Sequence, residues 1–401
     1  MTRSRALLAH LSRRTTSGQF IPEIDGLRFV SIALVVFFHL CGYTVAKTSA
    51  IHFDGAADNF VALLGSTGHY GVQLFFIISG FVLALPFAKF RLSSGPRPSL
   101  RAYYLRRLTR LEPPYIVAML GIFFGATLFY GVSARTLVPH LAASLVYLHN
   151  LIYGVGSSVN IVAWSLEVEV QFYLLAPFLA IVFAVSDTRV RRLIIVAAIG
   201  LVALAQRASV FGNPRLAIAL PNYLQLFLLG FLVADVYLVS WQTRSAHEGI
   251  WDGVGVLAWV AMFAVWMLVA KPGAEFLALA FVIFCATFRG RLLRAAFSNP
   301  WVTTIGGMCY SIYLLHYPLI SALGRRTAPL ALRDGFIAHL LVQGAIVVPV
   351  VLIVSTVFFV LIERPCMRKD WPSRFVAAFR AASLARTRER IPQRVRSIWG
   401  A

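Results

Sequence analysis

Charge is scarce in this chain of 401 residues: Asp, Glu, Lys and Arg make up 13% of it, against about 25% in soluble domains. With 59% hydrophobic residues and a mean hydropathy of +0.76, that shortage excludes a soluble protein carrying one anchor. It leaves a polytopic helical membrane protein. Acidic residues are the rarer sign, 16 against 37 basic ones, for a net charge of +21. In a soluble chain such a balance points to nucleic acid. Here the basic residues gather in particular loops, so topology and anionic lipid account for them and no nucleic-acid partner is expected. Lysine is nearly missing: Lys47, Lys89, Lys271 and Lys369 are all there is. Arginine is the better bidentate phosphate ligand, although a bias spread over the whole chain also follows from genome composition. Cysteine is confined to Cys41, Cys285, Cys309 and Cys366 without a CxxC spacing, which argues for neither a disulfide framework nor a metal site. A cleavable leader is not expected, because residues 1–20 are polar and basic and the apolar segment after them is a full span.

What the chain does have is apolar runs. Ten read as membrane spans: Leu27 to Val45, His69 to Phe87, Pro113 to Tyr130, Trp164 to Val185, Leu193 to Val210, Asn222 to Val239, Trp251 to Ala270, Glu275 to Phe288, Val302 to Leu323 and Phe336 to Ile362. Residues 134–163 are apolar but short, with Gly and Asn interrupting them. Counting them as a span would put Arg189, Arg191 and Arg192 outside, so they read as non-spanning or re-entrant, lying against protein or a cavity. With both ends inside, 8 of the 37 basic residues fall outside (Lys47, Arg135, Arg207, Arg215, Lys271, Arg325, Arg326 and Arg333), in keeping with the positive-inside rule. The expected architecture is an all-α, polytopic integral membrane protein of about ten transmembrane helices with cytoplasmic N and C termini. It divides into a cytoplasmic tail over 1–20, a membrane domain over 21–366 and a basic cytoplasmic tail over 367–401 that lies on the anionic inner leaflet or stays disordered. No internal repeat of the kind common in transporters is visible.

Ionisable residues inside such spans are functional candidates by default. In IPEIDGLRFVSIALVVFFHL, Ile21 to Leu40, Arg28 and His39 are eleven residues apart. They share a helix face and stand roughly 16 Å apart along the axis, about half of a hydrocarbon core of about 30 Å. With Arg28 at one interface, His39 lies near the midplane, as a catalytic group or as a neutral imidazole bonded to a neighbouring helix. Asp25, one turn before Arg28, is placed to pair with it. Arg106-Arg107-Leu108-Thr109-Arg110 precedes the third span, with Arg106 and Arg110 as i, i+4 neighbours. The cluster is either a topology signal or a phosphate clamp at the cytoplasmic surface. In WSLEVEVQFYLLAPF, Trp164 to Phe178, Glu167 and Glu169 stand at the outer end of a span about 200° apart, so one acid at most points at a given site. Ser165, Glu169 and Tyr173 share one face; Glu167 and Gln171 share the other. Alternatively the acids snorkel to the outer interface. YSIYLLHYPL, Tyr310 to Leu319, places His316 in the outer half of its span, where a structural histidine competes with a catalytic one. Asp235 and Arg207 lie near span ends, where capping or snorkelling is the default.

In this order the stretches resemble the membrane acyltransferases of the acyltransferase 3 type. The resemblance runs from Ile24 to Pro365. It rests on DGLRFVSIALVVFFHL with its Arg-ten-residues-His spacing, GVQLFFIISGFVL, RRLTRLEPPY with its Arg-Arg-x-x-Arg, WSLEVEVQFYLLAP, YSIYLLHYPL and the closing Glu363-Arg364-Pro365. It implies a ten-helix enzyme that passes an acyl group, usually acetyl from acetyl-CoA, to a hydroxyl on a cell-surface carbohydrate or lipid-linked sugar. By the same resemblance His39 takes the essential histidine position, Arg28 its paired arginine, Arg106, Arg107 and Arg110 the cytoplasmic arginines, and Glu169 the acid of the usual VEEQFY. Val170 replaces the second acid of that motif, so the carboxylate pair is missing here. Some members continue into an extracytoplasmic esterase-like domain; without one, acceptor delivery is expected to use other proteins or the lipid-linked acceptor itself.

The partners implied are acyl-CoA, a carbohydrate or lipid-linked glycan acceptor and membrane lipid, with acetyl-CoA as donor and no metal. In that scheme the donor phosphates meet Arg106, Arg107, Arg110 and Arg28 at the inner face, and the thioester arm reaches up into the bundle. A neutral His39 deprotonates the acceptor hydroxyl or carries the acetyl transiently. Glu169 orients it as the third group of a triad does, and Asp25, Trp164, Ser165, Tyr173 and His316 support the site. Within the enzyme class, the alternatives are a small-molecule acceptor such as a macrolide, or succinyl-CoA as donor. Outside it stand a secondary transporter or exporter, with the intramembrane His and acids as a proton relay, and a non-catalytic membrane scaffold.

Overall fold

The computed structural model describes residues 20–47, 53, 55–241, 243, 245–269, 271, 273–327, 330 and 335–368, together with Leu11, Arg13, Asp370, Trp371 and Ser373. The tails expected over 1–20 and 367–401 lie almost wholly outside these residues. In lipid every backbone amide must find its partner within the protein, so long apolar runs fold as helices. Among the described residues there is no β-strand. In chain order the helices are α1 (Pro22–Lys47), α2 (Ala56–Thr67), α3 (Tyr70–Leu92), α4 (Leu100–Tyr130), the short α5 (Ala134–Leu145) and α6 (His149–Tyr153), α7 (Ala163–Leu179), α8 (Thr188–Arg207), α9 (Leu224–Ser240), α10 (Glu248–Leu268), α11 (Ala274–Arg289), α12 (Arg291–Phe297), α13 (Pro300–Gly307), α14 (Cys309–Thr327) and α15 (Phe336–Phe358). Six stretches are long and apolar enough to cross a membrane: 22–46, 56–92, 100–130, 163–184, 248–268 and 336–366. Helices α11 and α12, apolar and long enough together but bent by 91° at Gly290, form either a broken seventh span or a re-entrant loop.

Each of the ten apolar runs read from the sequence lies on a helix, but the boundaries move for identifiable reasons. The segment before His69, which lies outside the ten expected spans, carries α2 and joins α3 in one 37-residue stretch. Its Phe60, Val61, Leu63 and Leu64 supply an apolar face that the flanking Ser66, Thr67 and His69 obscure in the sequence. The third span was expected to start at Pro113, yet α4 starts at Leu100, where Ser99 Oγ accepts the Ala102 amide at 3.3 Å. A proline inside a helix leaves the carbonyl four residues back without its amide. Here Thr109 O, the carbonyl that Pro113 abandons, accepts the Trp371 indole N–H at 2.8 Å, so the helix continues and carries its arginines rigidly into the span. The run Val302 to Leu323 breaks at Met308 into α13 and α14. Residues 134–163 fold as α5 and α6; the 12 residues of α5 reach about 18 Å, short of the hydrocarbon core.

The core has two apolar clusters. One holds Phe76, Ile77 and Phe81 of α3 against Phe227 and Phe231 of α9 and Phe284 of α11. The other holds Tyr115 and Met119 of α4 with Ile312 and Leu314 of α14 and Val347 of α15. Helices α1 and α7 contribute to both: Ile24, Leu27, Val168 and Phe172 to the first, Ile32, Leu40, Ala163 and Leu166 to the second. The site described below lies along this seam. Close approach at two places needs glycine. Gly80 of α3 and Gly230 of α9 press on each other's backbones, and Gly306 of α13 lies on the backbone of Asp25, so a side chain at either contact forces the helices apart.

Asp235 neither caps nor snorkels. It is fully buried and accepts from Arg191 Nε and, at 2.6 Å, from Arg192 Nε. The sequence interval of more than forty residues hides this pairing; it exists because α8 packs along α9.

Candidate active site

The upper half of the site surrounds His39 on α1. Its ring lies 4.9 Å from Phe38, 5.1 Å from His316 and 4.9 Å from Tyr317, centroid to centroid. It lines a cavity of about 140 Å³ together with His69, Gln73, Trp164 and Tyr223. A cavity of about 150 Å³ holds one benzene ring, so this one has room for a two-carbon acyl group or the edge of one sugar ring. Trp164 and Tyr223 offer adjacent ring faces, 5.5 Å between centroids. His69 stands exposed at the start of α3 with its Nδ1 2.7 Å from Ser66 O. A carbonyl only accepts, so that nitrogen carries a proton.

His316 is read the same way. Its Nδ1 lies 3.0 Å from Ile312 O and 2.7 Å from Tyr313 O, so Nδ1 is the protonated nitrogen. Nε2 is left buried with no partner among the described residues. The sequence placed His316 as a supporting residue; the packing of α14 on α1 sets it beside His39, where its free lone pair suits an imidazole N–H.

The acids of α7 divide as their 200° separation requires. Glu167 is fully buried and accepts the Asn150 amide at 2.8 Å, closing the start of α6. It does not snorkel to the interface. Glu169 accepts from Ser79 Oγ at 2.5 Å and from the Tyr173 hydroxyl, and lies within electrostatic reach of Arg28. The contact between Glu169 and His39 required by a triad is not made. Trp164 holds the level of the cavity, and five residues further on the helix has descended about 7.5 Å and turned by about 140°, which turns Glu169 toward the arginines. Ser165 also faces away from the cavity. The Tyr313 hydroxyl donates to Val162 O, so the 2.9 Å bond to Tyr313 is donated by Ser165 Oγ and pins α7 to α14.

The lower half of the site is cationic. Arg28 Nη1 donates to Asp25 Oδ1 at 2.7 Å, the pairing expected from their spacing. The arginines of α4 separate. Tyr103, Arg107, Arg110 and Pro114 form the inward stripe: Tyr103 and Pro114 are buried, the Arg107 guanidinium lies 4.5 Å above the Tyr103 ring, and Arg110 Nε is buried without a hydrogen-bond partner among the described residues. Arg106, expected to act with Arg110, turns back on its own helix and donates to Ala102 O at 3.0 Å. The inward stripe follows the i, i+3, i+4 pattern, and Arg106 falls to its edge.

Three residues escaped the sequence reading. Ser79, in the FIISGF stretch, anchors Glu169. Glu363 accepts from Ser311 N at 3.1 Å and Ser311 Oγ at 2.5 Å, at the end of a π-turn over Phe359–Glu363; such turns cluster at functional sites, and the Glu-Arg-Pro ending was its one visible signal. Arg13 donates to Asp25 Oδ2 at 2.7 Å; no periodicity links it to the site. Among the described residues no group of three or more His, Cys, Asp or Glu is arranged to hold a metal ion.

The chain is 26% identical over 340 residues to the peptidoglycan O-acetyltransferase OatA of Listeria monocytogenes, covering 77% of this chain and 51% of that protein. It is 24% identical over 332 residues to the O-acetyltransferase OatA of Staphylococcus aureus, covering 76% of this chain and 51% of that protein. It thus spans about half the length of the curated relatives it matches. No solved structure matches it. A histidine at a small cavity, an arginine cluster along the same seam, and a match over residues 21–364 to the acyltransferase 3 family, described as an acyltransferase domain, agree: the chain belongs to that family.

Proposed function

We propose that the protein is an O-acetyltransferase of the bacterial inner membrane, moving acetyl from cytoplasmic acetyl-CoA to a hydroxyl of a cell-surface or lipid-linked carbohydrate. The observation that carries this reading is His39 at a cavity of about 140 Å³, on the helix whose other end bears Arg28 and Asp25. The matched relatives named as O-acetyltransferases support the choice of reaction. The donor phosphates bind Arg107, Arg110 and Arg28, and the thioester extends along α1 to His39. In the proposed mechanism His316 Nε2, unpartnered beside the His39 ring, takes up the N–H of His39 when substrate binds, which aims the opposite His39 nitrogen at the acceptor hydroxyl. That nitrogen takes the hydroxyl proton as the oxygen attacks the thioester carbonyl. The C–S bond breaks, the departing thiolate receives the proton, and the products are the acetate ester and free CoA. Glu169, Ser79 and Tyr173 hold the passage between arginines and histidine, and Trp164 and Tyr223 stack on the sugar face.

The test uses purified protein with radiolabelled acetyl-CoA and lipid-linked or isolated polysaccharide. Transfer of label to an alkali-labile ester is expected. Mass spectrometry of surface polysaccharide from cells lacking the protein identifies the acceptor. A protein that binds acetyl-CoA without consuming it, while moving protons or sugars across vesicles, would be a transporter instead.

A further inference from the structure

Asp25 joins two guanidinium groups from different parts of the chain, Arg28 on Oδ1 and Arg13 on Oδ2, each at 2.7 Å. Arg13 belongs to the segment that the sequence marks only as a basic tail. Its side chain is nevertheless 13% exposed, and its stem packs over Gly307 at the end of α13. Burial first, then Arg28, pulls its pKa down to about 10, so Arg13 remains a cation at neutral pH. Arg28 and Arg110 both repel it. Among the described residues no acceptor besides Asp25 engages Arg13 or Arg28, and Arg110 Nε is buried and unpartnered. Desolvated guanidinium groups held side by side with unspent N–H donors fit an incoming anion with several oxygens.

Position along α1 selects the part of the donor that meets Arg13. Arg28 lies roughly 16 Å from His39 along the axis, and Asp25 roughly 21 Å. Arg13, tied to Asp25, therefore stands at the end of the site remote from His39. In a coenzyme A thioester the 3′-phosphate is the phosphate at the end remote from the acyl group. We propose that Arg13 is a donor-site residue that binds the 3′-phosphate of the acyl-CoA, an assignment that rests on acyl-CoA being the donor. The segment preceding the first membrane helix then contributes to substrate recognition, and loss of one charge-assisted contact there weakens binding roughly ten- to a hundred-fold.

The experiment measures binding of acetyl-CoA and of acetyl-3′-dephospho-CoA to the full chain in detergent. Wild type is expected to prefer acetyl-CoA by about ten-fold or more. Arg13→Ala is expected to lose that preference, with weaker acetyl-CoA binding and unchanged binding of the dephospho compound. Arg13→Lys, which keeps the charge and alters the fold least, is expected to fall between. Equal affinity of wild type for the two compounds, an R13A variant that keeps the preference, or an equal loss for both compounds overturns the assignment and leaves Arg13 as an anchor for Asp25. If R13A does not accumulate, the lysine variant decides by the same criterion. Wild type that binds neither compound overturns the donor reading itself, a result distinct from all of these.

Discussion

Among the described residues two Arg–Asp–Arg clusters occur, and they differ in what is left over. In the first, Asp235 takes Arg191 and Arg192, and the guanidinium groups spend further donors nearby: Arg191 on Val185 O at 2.6 Å and Arg192 on Ser240 Oγ at 2.7 Å. That cluster is closed and ties α8 to α9. In the second, Asp25 takes Arg13 and Arg28, whose other donors find no acceptor among the described residues, with Arg110 near Arg13. The same three residue types thus make a closed clasp in one place and, in the other, a cluster with guanidinium donors left unpaired among the described residues. The difference lies in the neighbouring backbone: α8 begins in a turn whose carbonyls point at Arg191, whereas no carbonyl among the described residues accepts from Arg13 or Arg28.

If the open cluster serves chemistry at His39, breaking the histidine has the largest effect. His39→Ala is expected to lower acetyl transfer by roughly a hundred- to ten-thousand-fold, the usual contribution of a general base, while leaving acetyl-CoA binding and membrane insertion intact. Assays on purified protein decide; a variant with wild-type turnover removes His39 from the mechanism. The closed cluster is next. Asp235→Ala strands the buried Arg191 and is expected to cost about 3–5 kcal/mol, read as a loss of folded protein in detergent thermal unfolding. Asp25→Ala strands no arginine as deeply as Arg191, since Arg13 and Arg28 are 13% and 15% exposed against 1%, and is expected to destabilise the fold less and to change donor affinity instead. The reverse pattern would erase the distinction between the clusters.

Within the open cluster, Arg107→Lys and Arg110→Lys keep the charge and lose the fork. Acetyl-CoA affinity is expected to fall roughly ten-fold or more for each, whereas Arg106→Lys binds as wild type because its side chain is engaged with Ala102 O. Three equivalent lysine variants would make the stretch a topology signal alone. The smallest effect is on topology. Cysteines placed at Val155 and Val190, 57% and 49% exposed, leave activity unchanged. An impermeant maleimide is expected to label the first only from outside and the second only from inside; labelling of position 155 from the cytoplasm would require a further crossing in residues 134–163.

Much of this was legible in the sequence. The apolar runs predict the helices, because lipid leaves no alternative to internal amide pairing. Arg28 and His39 lie on α1 as their spacing requires, and Glu167 and Glu169 diverge because 200° of helix rotation separates them. What periodicity cannot see is contact between elements. His316 beside His39, Ser79 under Glu169 and Arg13 on Asp25 are each set by how one helix or segment packs on another. The expected bond from Glu169 to His39 failed for a related reason: sequence order on α7 fixes angle, but depth relative to α1 depends on how the two helices slide.

The sequence by itself determined the class of the protein, the helices and the identity of the candidate histidine, because each follows from local quantities: hydropathy, rotation per residue and residue type. Only the tertiary structure decided which charges are spent and which remain open. Whether an arginine is a clasp or a ligand depends on the carbonyls, carboxylates and close-packed glycines that other helices bring within hydrogen-bond reach, and those distances are set by packing across the bundle.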